Sequence, residues 1–133
     1  MTMLERVIYE SRATGRTDSL LNMATILAES QRNNERDGLT GVLAAHDDRY
    51  IQVLEGTTPA IDRLLRRLLH DARHKDVTIL DRRPIETRSF GEWAMANARI
   101  HPDQAANLDG VMASHSSDAM VALLLEAIRA TSG

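Results

Sequence analysis

Tyr9, Gln52 and the pair Asn33-Asn34 are the residues of this chain whose chemistry most needs an explanation. Gln52 lies in the middle of an apolar strand pattern, where a buried amide without partners costs about 1–3 kcal/mol. Either the backbone or Ser11 satisfies it, or it faces a ligand. An amide is also asymmetric, so rotating or tautomerising it exchanges a donor end for an acceptor end and rewires its neighbours. Tyr9 carries a redox-capable phenol and belongs to the strand expected beside Gln52; its hydroxyl either finds an ordinary acceptor or works with that amide. Asn33-Asn34 sit in the last turns of a helical pattern, where asparagine invites unwinding before Gly38. They also match the donor and acceptor pattern of an imide edge such as flavin N3–H with its flanking carbonyls. Arg73-His74 closes a second helical pattern, where positive groups suit the helix dipole. His70 and His74 are four apart, but nothing in the sequence completes a metal site, and none is assigned. Arg63, Arg66 and Arg67 read as a solvated face, and Arg12 and Arg16 beside Gly15 as a candidate anion loop.

Composition narrows the chemistry further. With no cysteine, disulfides, thiolate metal sites, cysteine nucleophiles and flavin–cysteinyl photochemistry are all excluded. A formal charge of −3 lacks the basic field that direct nucleic-acid binding needs. Only four aromatic residues occur, Tyr9, Tyr50, Phe90 and Trp93, so any one-electron donor is on a short list. Charges at Glu5 and Arg6 come too early for a secretion signal, and no apolar run is long enough to span a membrane, so a cytoplasmic protein is expected.

Periodicity supplies the elements that must position these residues. Residues 4–11 read as a strand, and a helix runs from the Asp18 cap to Gly38. Segments 39–45 and 49–55 form a hairpin, and a helix opened by Pro59 carries Ile61, Leu64, Leu65 and Leu68. Residues 77–80 and 93–100 are the last strands. The fold class is α/β (α+β): a ferredoxin-like βαββαββ mixed sheet with two helices on one face, and strands one and three central. Residues 1–101 form the domain and 102–133 a C-terminal helical extension, with helices near 103–113 and 117–131. In strand three, Tyr50, Gln52 and Leu54 share one face and Ile51 and Val53 the other. Both faces therefore need cover, so the tail helices or a second subunit should pack on the face away from the first two helices. In the last strand, alternation puts Trp93 with Met95, opposite Ala94, Ala96 and Ala98.

In order along the chain, the sequence resembles the BLUF family of blue-light sensors that bind FAD non-covalently. The likeness rests on Tyr9-Glu10-Ser11, Ser30-Gln31-Arg32-Asn33-Asn34 followed by Gly38-Leu39-Thr40-Gly41, Gln52-Val53-Leu54-Glu55-Gly56, Asp71-Ala72-Arg73-His74 and Phe90-Gly91-Glu92-Trp93-Ala94-Met95, and covers about residues 4 to 100. The resemblance implies that Tyr9 is the electron and proton donor and Gln52 the switching amide, with Trp93 and Met95 exchanging contacts as it rearranges. It implies flavin contacts from Asn33, Asn34, Arg73, His74 and Asp71, and counts Ser11 and Tyr50 among the cofactor-binding residues. The signal would leave through the last strand and the C-terminal helices to a separate effector protein, with the sensor a homodimer or higher homo-oligomer and neither nucleic acid nor membrane a partner. Two other readings stand beside it: an acylphosphatase-like hydrolase using Arg12 and Asn34, and a flavin-free dimeric interaction module. The first would leave Gln52, Trp93 and Arg73-His74 without a role.

Overall fold

The computed structural model describes residues 3–13, 20–46, 49–70, 74–98, 100, 102–114 and 117–132. Strand β1 (Leu4–Ala13), helix α1 (Leu20–Asp37), strands β2 (Thr40–His46) and β3 (Arg49–Thr57), and helix α2 (Thr58–Leu69) follow the expected order. Strands β4 (His74–Ile85) and β5 (Ala96–Ala98) and helices α3 (Pro102–Ser114) and α4 (Ser117–Ser132) complete it. The sheet order is β4-β1-β3-β2-β5, antiparallel except where β5 runs parallel to β2. β1 and β3 therefore lie side by side within the sheet, as right-handed crossovers require.

Local chemistry sets the ends of both helices. Gly38 adopts φ 71°, and the Leu39 amide reaches back 2.8 Å to the Asn34 carbonyl, the six-to-one bond of a Schellman stop. The asparagine pair consequently lies within an unbroken last turn. Thr57 caps α2, its hydroxyl accepting from the Ala60 amide at 3.4 Å, with Pro59 in the first turn where its missing N–H costs nothing.

Two apolar layers sandwich the sheet. Val7, Tyr9, Leu43, Tyr50 and Leu54 pack beneath α1 and α2 with Ile26, Ile61 and Leu68. Across the sheet, Ile8, Val42, Ala44, Ile51, Val53, Ala96 and Ala98 pack against Leu108, Met112, Met120, Leu124, Ala127 and Ile128 of the two tail helices. The small alanines let α4 approach closely, and the tail rather than a second subunit covers this face.

Three strand expectations change. β4 is twelve residues long rather than four and runs through Pro84, which its position at the sheet edge tolerates. The last strand shrinks to three residues, because the Trp93 amide bonds the Phe90 carbonyl at 3.1 Å and forms a turn where alternation predicted extended chain. That turn also breaks the shared face of Trp93 and Met95: Trp93 packs on the tail-helix side and Met95 beneath α1 and α2.

Gly41 secures this corner. Its amide donates to the Trp93 carbonyl at 3.0 Å, and a Cβ there would overlap the Val53 carbonyl oxygen and lie 2.8 Å from Leu54 Cδ2. Gly41→Ala is expected to cost about 2–3 kcal/mol, because backbone must move to admit the methyl. Chemical denaturation checks this, and a midpoint equal to that of the parent chain would contradict it.

Candidate functional site

The period-two alternation of the strands brings Tyr9 and Gln52 onto one face, and they are direct partners in the β1–β3 register. Both are buried, at 1% and 3% exposure. Together they form the floor of an open cleft of about 140 Å³. Asn33, Asn34, Ser30 and Glu29 come from α1, Leu64, Arg67 and Leu68 from α2, and Met95 from the chain entering β5. The walls are thus apolar between the helices and polar at the floor and along α1.

The α1 residues do double duty. Asn34 is buried, and its Nδ2 donates to the Ala94 carbonyl at 2.6 Å, leaving its acceptor oxygen and second amide proton for other partners. One turn earlier, Gln31 donates to the Met95 carbonyl at 3.1 Å. The backbone that carries Met95 is therefore tied to the helix that lines the cleft. Gln52 differs: its amide has no hydrogen-bond partner among the described residues. Neither Ser11 nor backbone satisfies it there, and a buried amide opening on a cleft is what a polar ligand edge would complete.

Arg67 is a site residue that the sequence reading assigned to the solvated face. It lines the cleft and pairs with Asp37 at 3.2 Å. The hydrogen bond from Arg36, reinforced by the charges of Arg67 and Arg63, holds the Asp37 carboxyl below the ordinary carboxylate range. The signal was available: Arg67 falls three residues after Leu64 and one before Leu68, on the border of the apolar stripe.

Other expected site residues fall elsewhere. Ser11 and Tyr50 are both buried; Tyr50 packs in the same core layer as Tyr9, but neither lines the cleft. Trp93 is on the opposite side of the sheet, beside Leu125, Ile128 and Arg129 of α4. His74 opens β4, its side chain outside the described residues, as Asp71 and Arg73 are altogether. The His70 ring bonds the Arg66 carbonyl at 2.8 Å, at the end of its own helix. Arg12 is not part of the cleft wall that holds Asn34, so the hydrolase reading lacks its pair of groups.

A sequence profile of the BLUF family, described as sensors of blue-light using FAD, matches residues 4–96. The chain belongs to the BLUF family. It is 34% identical over 98 residues to photoactivated adenylate cyclase subunit beta of Euglena gracilis, an alignment covering 73% of this chain and 11% of that protein. It thus spans about a tenth of the length of that relative. BlrB, a BLUF protein solved in its dark state, superposes with a TM-score of 0.77 at 29% identity over 98% of each chain. The photo-activated state of BlsA gives 0.79 at 25% identity over 95% of each. The hydrolase and flavin-free readings are set aside on this membership: this is a ferredoxin-like blue-light photosensor domain that uses FAD, and its family is one of sensors rather than enzymes.

The cleft suits an isoalloxazine on its own chemistry. Ile26, Leu64, Leu68 and Met95 offer apolar contact to a flat ring, while Asn33, Asn34 and the open amide of Gln52 offer donors and acceptors to its polar edge. Among the described residues no helix is long and apolar enough to cross a membrane.

Proposed function

We propose that light sensing in this BLUF chain runs on Tyr9 and Gln52, with Asn33 and Asn34 gripping the imide edge of FAD. The observation that carries the reading is the direct cross-strand pairing of a buried phenol with a buried amide on the floor of one polar-edged cleft. Bound flavin supplies blue-light absorption and a one-electron acceptor. Tyr9 is the source of the electron and of its phenolic proton. Gln52 would then reverse its donor and acceptor ends and offer a stronger hydrogen bond to the bound ring as the electron and proton return to Tyr9, a change that would move the absorption to the red. No nucleophile or general base is needed, because light provides the driving force.

The last strand and the tail helices carry the change outward, by biasing a two-state element through about 1–3 kcal/mol. The ties from Asn34 and Gln31 to residues 94 and 95 support this route, since they join the cleft wall to the entry of β5. Asp71, Arg73 and His74 complete the flavin site in this reading, Ser11 and Tyr50 brace its floor, and Trp93 and Met95 report its state. The sensor works in the cytoplasm on a separate effector protein, as a homodimer or higher homo-oligomer. The position of β4 at the edge of the described sheet, where Ile79 is 48% exposed, supports self-association.

One absorption spectrum of the purified chain tests the core of this reading. Oxidised flavin bands are expected, with a reversible red shift under blue light. A colourless protein, or a flavoprotein whose bands do not move, would refute it.

A further inference from the structure

Glu55 is a charged residue in the middle of the core, with no exposure at all, and the sensing chemistry above does not use it. It stands three residues after Gln52 on β3, so the two side chains point to opposite faces of the sheet. Gln52 opens on the cleft. The Glu55 carboxylate instead gathers the irregular chain between β4 and β5. Its Oε1 accepts from the Phe90 amide at 2.8 Å, and its Oε2 from the Ser89 amide and Arg6 Nε, each at 3.0 Å. Arg6 is itself buried and donates on to the Ser89 hydroxyl at 2.8 Å. A segment without secondary structure is thus pinned by one fully satisfied carboxylate.

What lies downstream gives the pin its consequence. The Phe90 carbonyl accepts from the Trp93 amide, the Trp93 carbonyl accepts from Gly41, and the indole rests against α4 beside Leu125 and Ile128. From the strand of Gln52, the Glu55 carboxylate holds the amides that lead into the Trp93 turn, while the β2 ladder, through Gly41, holds the carbonyl that leaves it.

We propose that Glu55 is a positioning residue that carries movement of β3 at Gln52 across the sheet to Trp93 and α4. The inference rests on the reading of the cleft as the flavin site. Its dark-state content, that Glu55 fixes the Trp93 turn, stands independently of that reading.

Trp93 is the only tryptophan, so intrinsic emission of the full-length, FAD-loaded chain reports on this indole alone. First, hydrogen exchange in the dark should find the Ser89 and Phe90 amides protected in the parent protein; exchange at the rate of an open loop would overturn the proposal without any variant. Second, Glu55→Gln turns an amide N–H toward donors, and charge-assisted bonds of this kind correspond to about a tenfold or larger change in a local opening equilibrium. Exchange at the two amides should therefore rise at least about tenfold, with acrylamide quenching of Trp93 increased. The flavin red shift should persist, while the light-minus-dark change in Trp93 emission collapses. A variant that keeps that emission change in full would overturn the coupling, and a merely structural role for Glu55 would leave it in place. If the parent protein shows no red shift, the flavin reading fails, whereas the dark exchange result still decides whether Glu55 pins the turn.

Discussion

Gln52→Leu should retain FAD and lose the red shift altogether. Leucine has nearly the length of glutamine and suits a central strand, so β3 and its register with Tyr9 should survive. The cleft keeps Asn33, Asn34, Tyr9 and its apolar walls, and loss of one neutral hydrogen bond to the ring should weaken FAD by about 1 kcal/mol, under tenfold in Kd. The spectral effect is different in kind, because the shift requires a group that presents a donor in one state and an acceptor in the other. On the floor of the cleft Gln52 is the one amide among the described residues: Tyr9 is the donor, and Asn33 and Asn34 stand on the α1 wall, Asn34 with one amide proton tied to the Ala94 carbonyl. A light-minus-dark absorption spectrum makes the measurement. A shift of normal size in the leucine variant would show that Gln52 is not the switch.

How far the sequence discloses such a site depends on which residues obey a simple period. Tyr9 and Gln52 were legible because β1 and β3 are regular across this stretch, so alternation and topology together put them on one face and side by side. The tail helices were legible for a similar reason: Ile51, Val53 and the alanines near β5 formed a second apolar face that something had to cover. Trp93 escaped because a single turn, Trp93 amide to Phe90 carbonyl, interrupts the alternation on which its face was assigned. β4 was read short since its charged residues Asp81, Arg82 and Arg83 sit on a half-covered edge strand, where the apolar signal is weak. Glu55 left a trace that was not used, a carboxylate ending an apolar run in a strand that needed cover on both faces. Its partner Arg6 lies on the neighbouring strand, directly across the register, and a buried charge is tolerated only with such a partner.

Tyr9→Phe should abolish formation of the light state, and the geometry makes this the sharper of the two losses. The substitution keeps the ring that packs with Val7, Leu43 and Leu54 and removes one hydroxyl, at a stability cost of about 1 kcal/mol. Flavin binding should therefore be nearly unchanged, and the dark spectrum close to that of the parent chain. Only three other aromatic residues exist to take over as donor. Phe90 has no redox-capable hydroxyl or indole. Tyr50 is buried in the same layer yet does not line the cleft, and Trp93 is separated from it by the sheet itself. Electron loss from either would also lack the paired proton transfer that the phenol of Tyr9 can make beside Gln52. Excited flavin in the phenylalanine variant should then return to its dark state by emission, with a longer fluorescence lifetime and no red-shifted product. Formation of that product at the parent yield would mean that Tyr50 or Trp93 suffices, and that the pairing across β1 and β3 is not what makes the cleft a light sensor.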